Sequence, residues 1–116
     1  MKLDCTRRLI RKGIDQSDPK EGLIQVLRSA IELIEIPDND FAWSSWESVE
    51  DARKELEGMI ARVNAGEIPD RLDVAVLFGP TGPLQEVSLS SGWGDPFLKV
   101  AERFDEVERK LWNHQG

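Results

Sequence analysis

The sequence predicts an α+β fold, in which three or four helices pack on a small antiparallel sheet built around one hairpin. Three segments carry apolar residues at the three- and four-residue spacing of amphipathic helices. Between the second and third of them, two shorter segments alternate in the manner of strands, and the turn Gly79-Pro80-Thr81-Gly82 separates them. A hairpin alone is marginally stable, so we expect the helices to cover it, in the order α-α-β-β-α.

The first long helix is predicted to start after Asp18 and to end before Pro37. Asp18 is a suitable N-cap, Pro19 fits the first helical position, and Glu21 is placed to complete a capping box. The residue before a proline avoids the α region, which sets the end of the helix. The apolar stripe of this helix consists of Leu23, Leu27, Ala30, Ile31 and Ile34.

The second and the last long helices are marked by the residues at their ends. Ser48 is the predicted N-cap of the second helix, with Asp51 as the capping-box acid. Gly66 is expected to take the left-handed conformation just after this helix. For the last helix, Asp95 is the predicted N-cap and Pro96 the first helical residue.

The hairpin is predicted over residues 72–90. Its turn has proline at the second position and glycine at the fourth, which is typical of a type I turn, and residues 84–90 form the second strand. Ahead of all these elements, a short helix over residues 1–12 that stops at Gly13 is left open, because terminal segments fray. In the first strand, Leu72, Val74, Val76 and Phe78 alternate with Asp73, Ala75 and Leu77.

At 116 residues the chain is expected to form one domain, residues 1–116, with residues 1–16 as a candidate for a loosely attached basic segment. Residues 1–12 hold five basic residues and one acidic residue, a net +4, so the remainder carries −11 of the total of −7. This excess of carboxylates argues against binding to nucleic acid or to an anionic membrane. The sequence leaves both a monomer and a homodimer open.

The compartment is predicted from the cysteine content and the N-terminus. Cys5 is the single cysteine, so no intrachain disulfide can form, which is typical of a reducing compartment. Basic residues interrupt the apolar region that a signal peptide needs, and no apolar run approaches the ~18 residues that span a bilayer. We therefore expect a cytoplasmic protein without a membrane segment.

Residues suited to catalysis or metal binding are few. His114 is the only histidine and lies near one end of the chain, while Cys5 lies near the other, so neither suits a nucleophile–base pair. Zinc ligands are too few. Asp38-Asn39-Asp40 begins like a calcium loop, but Ala42 and Trp43 occupy the positions of the next ligand and the glycine. We predict no catalytic residue, metal or cofactor, and a non-enzymatic role is favoured.

The first functional hypothesis concerns an acidic stretch that also contains tryptophans. Residues 29–52 contain seven acidic residues and no basic one. Tryptophan is a favoured interface anchor, and an acidic field speeds encounter with a cationic protein. This pattern predicts a protein-binding module for a basic partner, for instance an immunity-like or antitoxin-like inhibitor. Alternatively, the acids are an ordinary solvated surface, and Phe41 and Trp46 attach the loop to the following helix. The predicted partner-binding residues are Glu35, Asp38, Asp40, Trp43, Trp46 and Glu47.

The second hypothesis places a small-molecule site, binding or enzymatic, around residues 85–95. Two glycines flank Trp93, so the backbone can turn sharply around the indole ring. Either Trp93 plugs the entrance to the last helix as a packing residue, or it forms one wall of a small polar pocket. The predicted pocket residues are Gln85, Ser88, Ser90 and Trp93.

Overall fold

The computed structural model describes residues 3–37, 39–41, 46–79 and 82–112, and every regular element in these ranges is an α-helix. The predicted α+β fold is therefore wrong, because the segments assigned to the hairpin are two short helices. In chain order the helices are α1 (Asp4–Lys12), α2 (Pro19–Ile34), α3 (Val49–Asn64), α4 (Arg71–Phe78), α5 (Pro83–Ser91) and α6 (Gly94–Leu111).

The first predicted strand is α4. Val74, Leu77 and Phe78 are buried at helical spacing, whereas Leu72 is 68% exposed and Val76 is 58% exposed. A strand would have placed Leu72, Val74 and Val76 on the same face. The apolar run is short and nearly continuous, so it fits both periods, and packing against the rest of the chain decides between them.

The second predicted strand is α5, and the segment predicted as a turn lies between two helices. Pro80 and Thr81 of that predicted turn lie outside the described residues. The N–H of Gly82 donates to the carbonyl oxygen of Gly79 at 3.1 Å, which closes a turn between α4 and α5. Pro83 occupies the first turn of α5, where its missing N–H costs nothing. Gly92 ends α5 in the left-handed conformation with φ of 85°. The residues that favoured a hairpin therefore delimit a helix instead.

The central helix of the fold is α2, which packs against α1, α3, α5 and α6. Its predicted start is confirmed, since the Asp18 side chain accepts from the backbone N–H groups of Lys20 and Glu21. Gly22 allows α6 to approach closely, because a Cβ there would lie 3.3 Å from Cγ2 of Val107. Each leucine that α2 buries contributes roughly 1.5–3 kcal/mol. The fully buried residues of α2 include Leu23, Val26, Leu27 and Ala30.

The predicted ends of α3 are confirmed, whereas the predicted start of α6 is not. The predicted cap of α3 is confirmed, because the Ser48 hydroxyl accepts from the N–H of Asp51 at 3.4 Å, and Gly66 follows the helix with φ of 88°. The predicted cap of α6 is wrong. This helix begins at Gly94 with Trp93 as N-cap, so Asp95 lies within the first turn.

The N-terminal helix α1 packs against α2 and α6. Its buried contact residue is Leu9, and Ile14 is buried just after Gly13, which ends the helix with φ of 83°. Arg103 of α6 donates from Nη2 to the carbonyl oxygen of Ile10 at 2.8 Å. Residues 3–14 are thus tied to two other helices by both apolar and polar contacts.

Candidate functional site

Most of the predicted partner-binding residues that the structure describes lie on the surface. Glu35, Asp40 and Glu47 are exposed. Asp38 and Trp43 lie outside the described residues. The surface around the α2–α3 connection is named the acidic face below, and it is defined by the exposed carboxylates of Glu35, Asp40, Glu47, Glu50 and Asp51.

Trp46 is not part of this surface. Its side chain is 5% exposed and belongs to the hydrophobic core, and the half-buried Phe41 packs against that core. An indole ring at this depth is not accessible to a partner protein. In the described part of the connection, aromatic residues therefore hold the loop to the helices, and the carboxylates remain outside.

An ion pair with α3 forms at the edge of the acidic face. Arg53 of α3 donates from Nε to the carboxylate of Glu35 at 2.8 Å, and both side chains are substantially exposed. An exposed ion pair of this kind contributes about 0–1 kcal/mol. The pair neutralises one carboxylate, and the face keeps a net negative charge.

The predicted pocket around Trp93 is filled. Trp93 is 5% exposed, and its indole Nε1 donates to Oδ1 of Asn39 at 2.6 Å. Asn39 also donates from Nδ2 to the carbonyl oxygens of Leu33 and Ile34, the last turn of α2. The indole thus plugs the junction between α5 and α6 and anchors the α2–α3 connection at the same time.

The remaining predicted pocket residues differ in their exposure and in their contacts. Ser88 is fully buried, and its hydroxyl donates to the carbonyl oxygen of Gln85 at 2.7 Å, within the same helix. Ser90 is exposed. Four surface cavities lie along the described residues, and Gln85, Ser88, Ser90 and Trp93 line none of these four.

A polar cluster that sequence reasoning missed joins α1 to α2. The carboxylate of Glu32 accepts from the backbone N–H groups of Cys5 at 2.9 Å and Thr6 at 2.7 Å, and from the Thr6 hydroxyl at 2.8 Å. Cys5 and Thr6 lie in the first turn of α1, whose N–H groups have no acceptor within the helix. Glu32 therefore caps α1 from a neighbouring helix, where the helix dipole also favours a negative charge.

This cluster changes the acidity of both groups. Partial burial pushes the pKa of Glu32 upward, but the hydrogen bonds from Cys5 and Thr6 outweigh it and hold the pKa below its ordinary value. Burial raises the pKa of the Cys5 thiol, and the hydrogen bond and negative charge of Glu32 add to the rise. The thiolate of Cys5 is therefore disfavoured at neutral pH, and the thiol is not an activated nucleophile.

A second feature absent from the sequence prediction is a cavity of about 110 Å³ between α1 and α2. It lies beside the Glu32 cap and brings together two arginines that are distant in the sequence, Arg8 and Arg28. On each helix, every lining residue lies three or four positions from another lining residue, so the lining residues share the helix face that borders the cavity. That spacing was readable from the sequence, but the pairing of the two helices was not.

The described residues contain no group of three or more His, Cys, Asp or Glu side chains that could hold a metal ion. Across the same ranges, no helix has the length and apolar character needed to cross a membrane. The chain matches no protein-family model, no curated protein and no solved structure.

Proposed function

We propose that the chain is a non-enzymatic protein-binding module that docks a basic protein on its acidic face. The observation that carries this proposal is the exposure of five carboxylates around one connection, within residues 29–52, a stretch of sequence that contains no basic residue. One version is an immunity-like or antitoxin-like inhibitor, which would cover the cationic substrate site of an enzyme. The packing of α2 against α3 supports such docking, because it holds the carboxylates of both helices on one body.

Electrostatic attraction favours the docking of a cationic partner on the acidic face. Like charges on one face repel one another and destabilise the folded chain slightly, and a cationic partner relieves that repulsion on docking. Complementary charge mainly raises the association rate and selects against acidic competitors. Binding should therefore weaken as the salt concentration rises.

We further propose that the protein acts in the cytoplasm. Cys5 is the single cysteine of the chain and is exposed as a free thiol. An exposed free thiol is more compatible with a reducing compartment than with an oxidising one.

The test uses two charge-reversed double variants with the same change of net charge. Glu47→Lys/Glu50→Lys alters the acidic face at a loop and the first turn of α3. Glu67→Lys/Asp73→Lys is the matched control, because it alters a loop and the first turn of α4, and all four side chains are exposed. The binding partner is retrieved from a lysate of the source cells, purified, and titrated against each variant at several salt concentrations.

We expect a basic partner whose Kd rises at least about tenfold with the first variant and changes little with the control. The proposal is overturned if both variants bind equally well, if the retained partner is acidic, or if the parent retains no basic protein at low salt.

A further inference from the structure

The geometry points to a binding site for a tetrahedral oxyanion, phosphate or the phosphoryl group of a small molecule, in the cavity between α1 and α2. This site is separate from the acidic face and does not depend on the proposed function. The cavity is lined by Cys5, Arg8 and Leu9 of α1 and by Glu21, Gln25 and Arg28 of α2.

Two arginines of the cavity carry positive charge that no described carboxylate neutralises in an ion pair. Arg53, Arg71 and Arg103 each form an ion pair with a glutamate. Arg8 and Arg28 instead line one cavity from two helices, and neither forms a hydrogen bond or ion pair with any residue that the structure describes. A guanidinium group presents a planar fork of N–H donors that matches the oxygens of phosphate.

Gln25 supplies a third hydrogen-bond donor to the cavity. Gln25 accepts from the backbone N–H of Asp15 through Oε1 at 2.8 Å, which orients its amide. The Nε2 group of Gln25 makes no hydrogen bond to a described residue, so its two N–H groups are available. Donors from Arg8, Gln25 and Arg28 suit the several oxygens of a tetrahedral anion better than the two oxygens of a planar carboxylate.

The volume of the cavity matches a small anion. The cavity volume of about 110 Å³ is several times the ~10–15 Å³ that one water molecule requires. It is well below the ~300–1,000 Å³ typical of sites for drug-sized ligands. The space therefore suits one phosphoryl-sized group, and any larger part of the ligand must lie outside.

One lining residue opposes the anion. Glu21 contributes a carboxylate against the two guanidinium groups, so the charged lining residues have a net positive charge. The nearby carboxylate of Glu32 is already engaged at the N-terminus of α1. Glu21 should therefore weaken anion binding, and Glu21→Gln should strengthen it.

Cys5 makes the site easy to monitor, because it is the single thiol of the chain and lines the cavity. The rate of its alkylation by iodoacetamide, a neutral reagent, is measured with increasing inorganic phosphate, at constant pH and with potassium chloride holding the ionic strength constant. We expect phosphate to slow the alkylation in a saturable way. The chemical shift of the Gln25 side-chain amide, followed by NMR, provides a second readout.

We expect Arg8→Gln and Arg28→Gln each to raise the half-saturating phosphate concentration at least about tenfold, because each removes a charge-assisted hydrogen bond. Glu21→Gln should lower it. Arg7→Gln is the matched control, since Arg7 is an exposed arginine of the same helix and does not line the cavity.

Methyl phosphate is the second probe, and tighter binding than inorganic phosphate would assign the site to a phosphoryl group on a small molecule. Tighter binding of inorganic phosphate would assign it to the free ion. The inference is overturned if neither probe slows alkylation or shifts the Gln25 amide more than chloride does. Equal protection by acetate, or an equal loss in Arg7→Gln, overturns it as well.

Discussion

Two short helices, α1 and α4, are fixed to the body of the protein by different forces. The N-terminus of α1 is held by hydrogen bonds from Cys5 and Thr6 to the carboxylate of Glu32. At the N-terminus of α4, the side chain of the N-cap residue Asp70 makes no capping hydrogen bond. Instead, Phe78 stacks on Phe104 of α6 with ring centroids 4.8 Å apart.

The two attachments respond differently to pH and to substitution. Glu32 caps the N-terminus of α1 only while its carboxylate is ionised, so this part of the attachment depends on pH and is lost gradually in acid. The turn after α4 brings Gly82 against the backbone of Val76, and a Cβ at Gly82 would overlap the Val76 carbonyl oxygen. A backbone contact of this kind tolerates no added atom, whatever the pH.

The largest effect is therefore expected at the steric contact. Gly82→Ala must displace α4 from α5, and we expect a loss of about 2–4 kcal/mol in the free energy of unfolding. Gly58→Ala is the control, because nothing lies within 4 Å of a Cβ placed there. Since Gly58 is inside α3, its replacement should stabilise the protein by about 0.5–1 kcal/mol. Urea denaturation measures both, and a Gly82→Ala protein as stable as the parent would contradict the described turn.

The long helices could be predicted because their signals agree with one another. At α2, a capping aspartate, a proline at the first turn and an apolar stripe all indicate one helix, and at α3 Ser48 and Gly66 do the same. In α4 the run from Leu72 to Phe78 fits two periods, and the glycines and prolines around it serve a helix pair as well as a hairpin. Only the packing of Phe78 and its neighbours against α6 resolves that ambiguity.

A smaller effect is expected at the polar contact, and it should depend on pH. Glu32→Gln keeps the shape of the side chain but removes its charge, and we expect it to cost about 1 kcal/mol at pH 7. The folded-state pKa of Glu32 lies below the ordinary value of 4.5. Its stabilisation is therefore fully present above pH ~4.5 and is lost as the pH falls through the lowered pKa.

Urea denaturation of the parent and of Glu32→Gln, from pH 7 down to pH 3, measures this dependence. The difference between the two proteins should be constant near neutrality and should shrink in acid, where the protonated glutamic acid resembles glutamine. Glu57→Gln, an exposed change on α3, is the control and should cost under about 0.5 kcal/mol. A difference for Glu32→Gln that is unchanged between pH 7 and pH 3 would show that its charge does not cap α1.

The candidate sites also differ in how far the sequence could predict them. The acidic face could be predicted from residues 29–52 because a run of carboxylates without a base stays in water wherever the helices pack. The burial of Trp46 could not be predicted, since an indole ring is equally suited to a core or to an interface. The contacts of Glu32 with Cys5 and Thr6 span 27 and 26 residues. Arg8 and Arg28, which line one cavity, are likewise distant in the sequence. Contacts of that range depend on which helices pack together, and the local pattern carries no such information.

The smallest effect on stability is expected for substitutions on the exposed face of α4. These substitutions distinguish a helix from a strand in this segment. Leu72→Gln and Val76→Gln should each change the free energy of unfolding by less than about 0.5 kcal/mol, because both side chains are largely exposed. Val74→Gln should cost more than about 2 kcal/mol, because it buries an amide in place of a fully buried apolar side chain. In a strand the three positions would share one face and lose similar amounts. Equal losses in urea denaturation at positions 72, 74 and 76 would therefore restore the strand that the alternating pattern predicts.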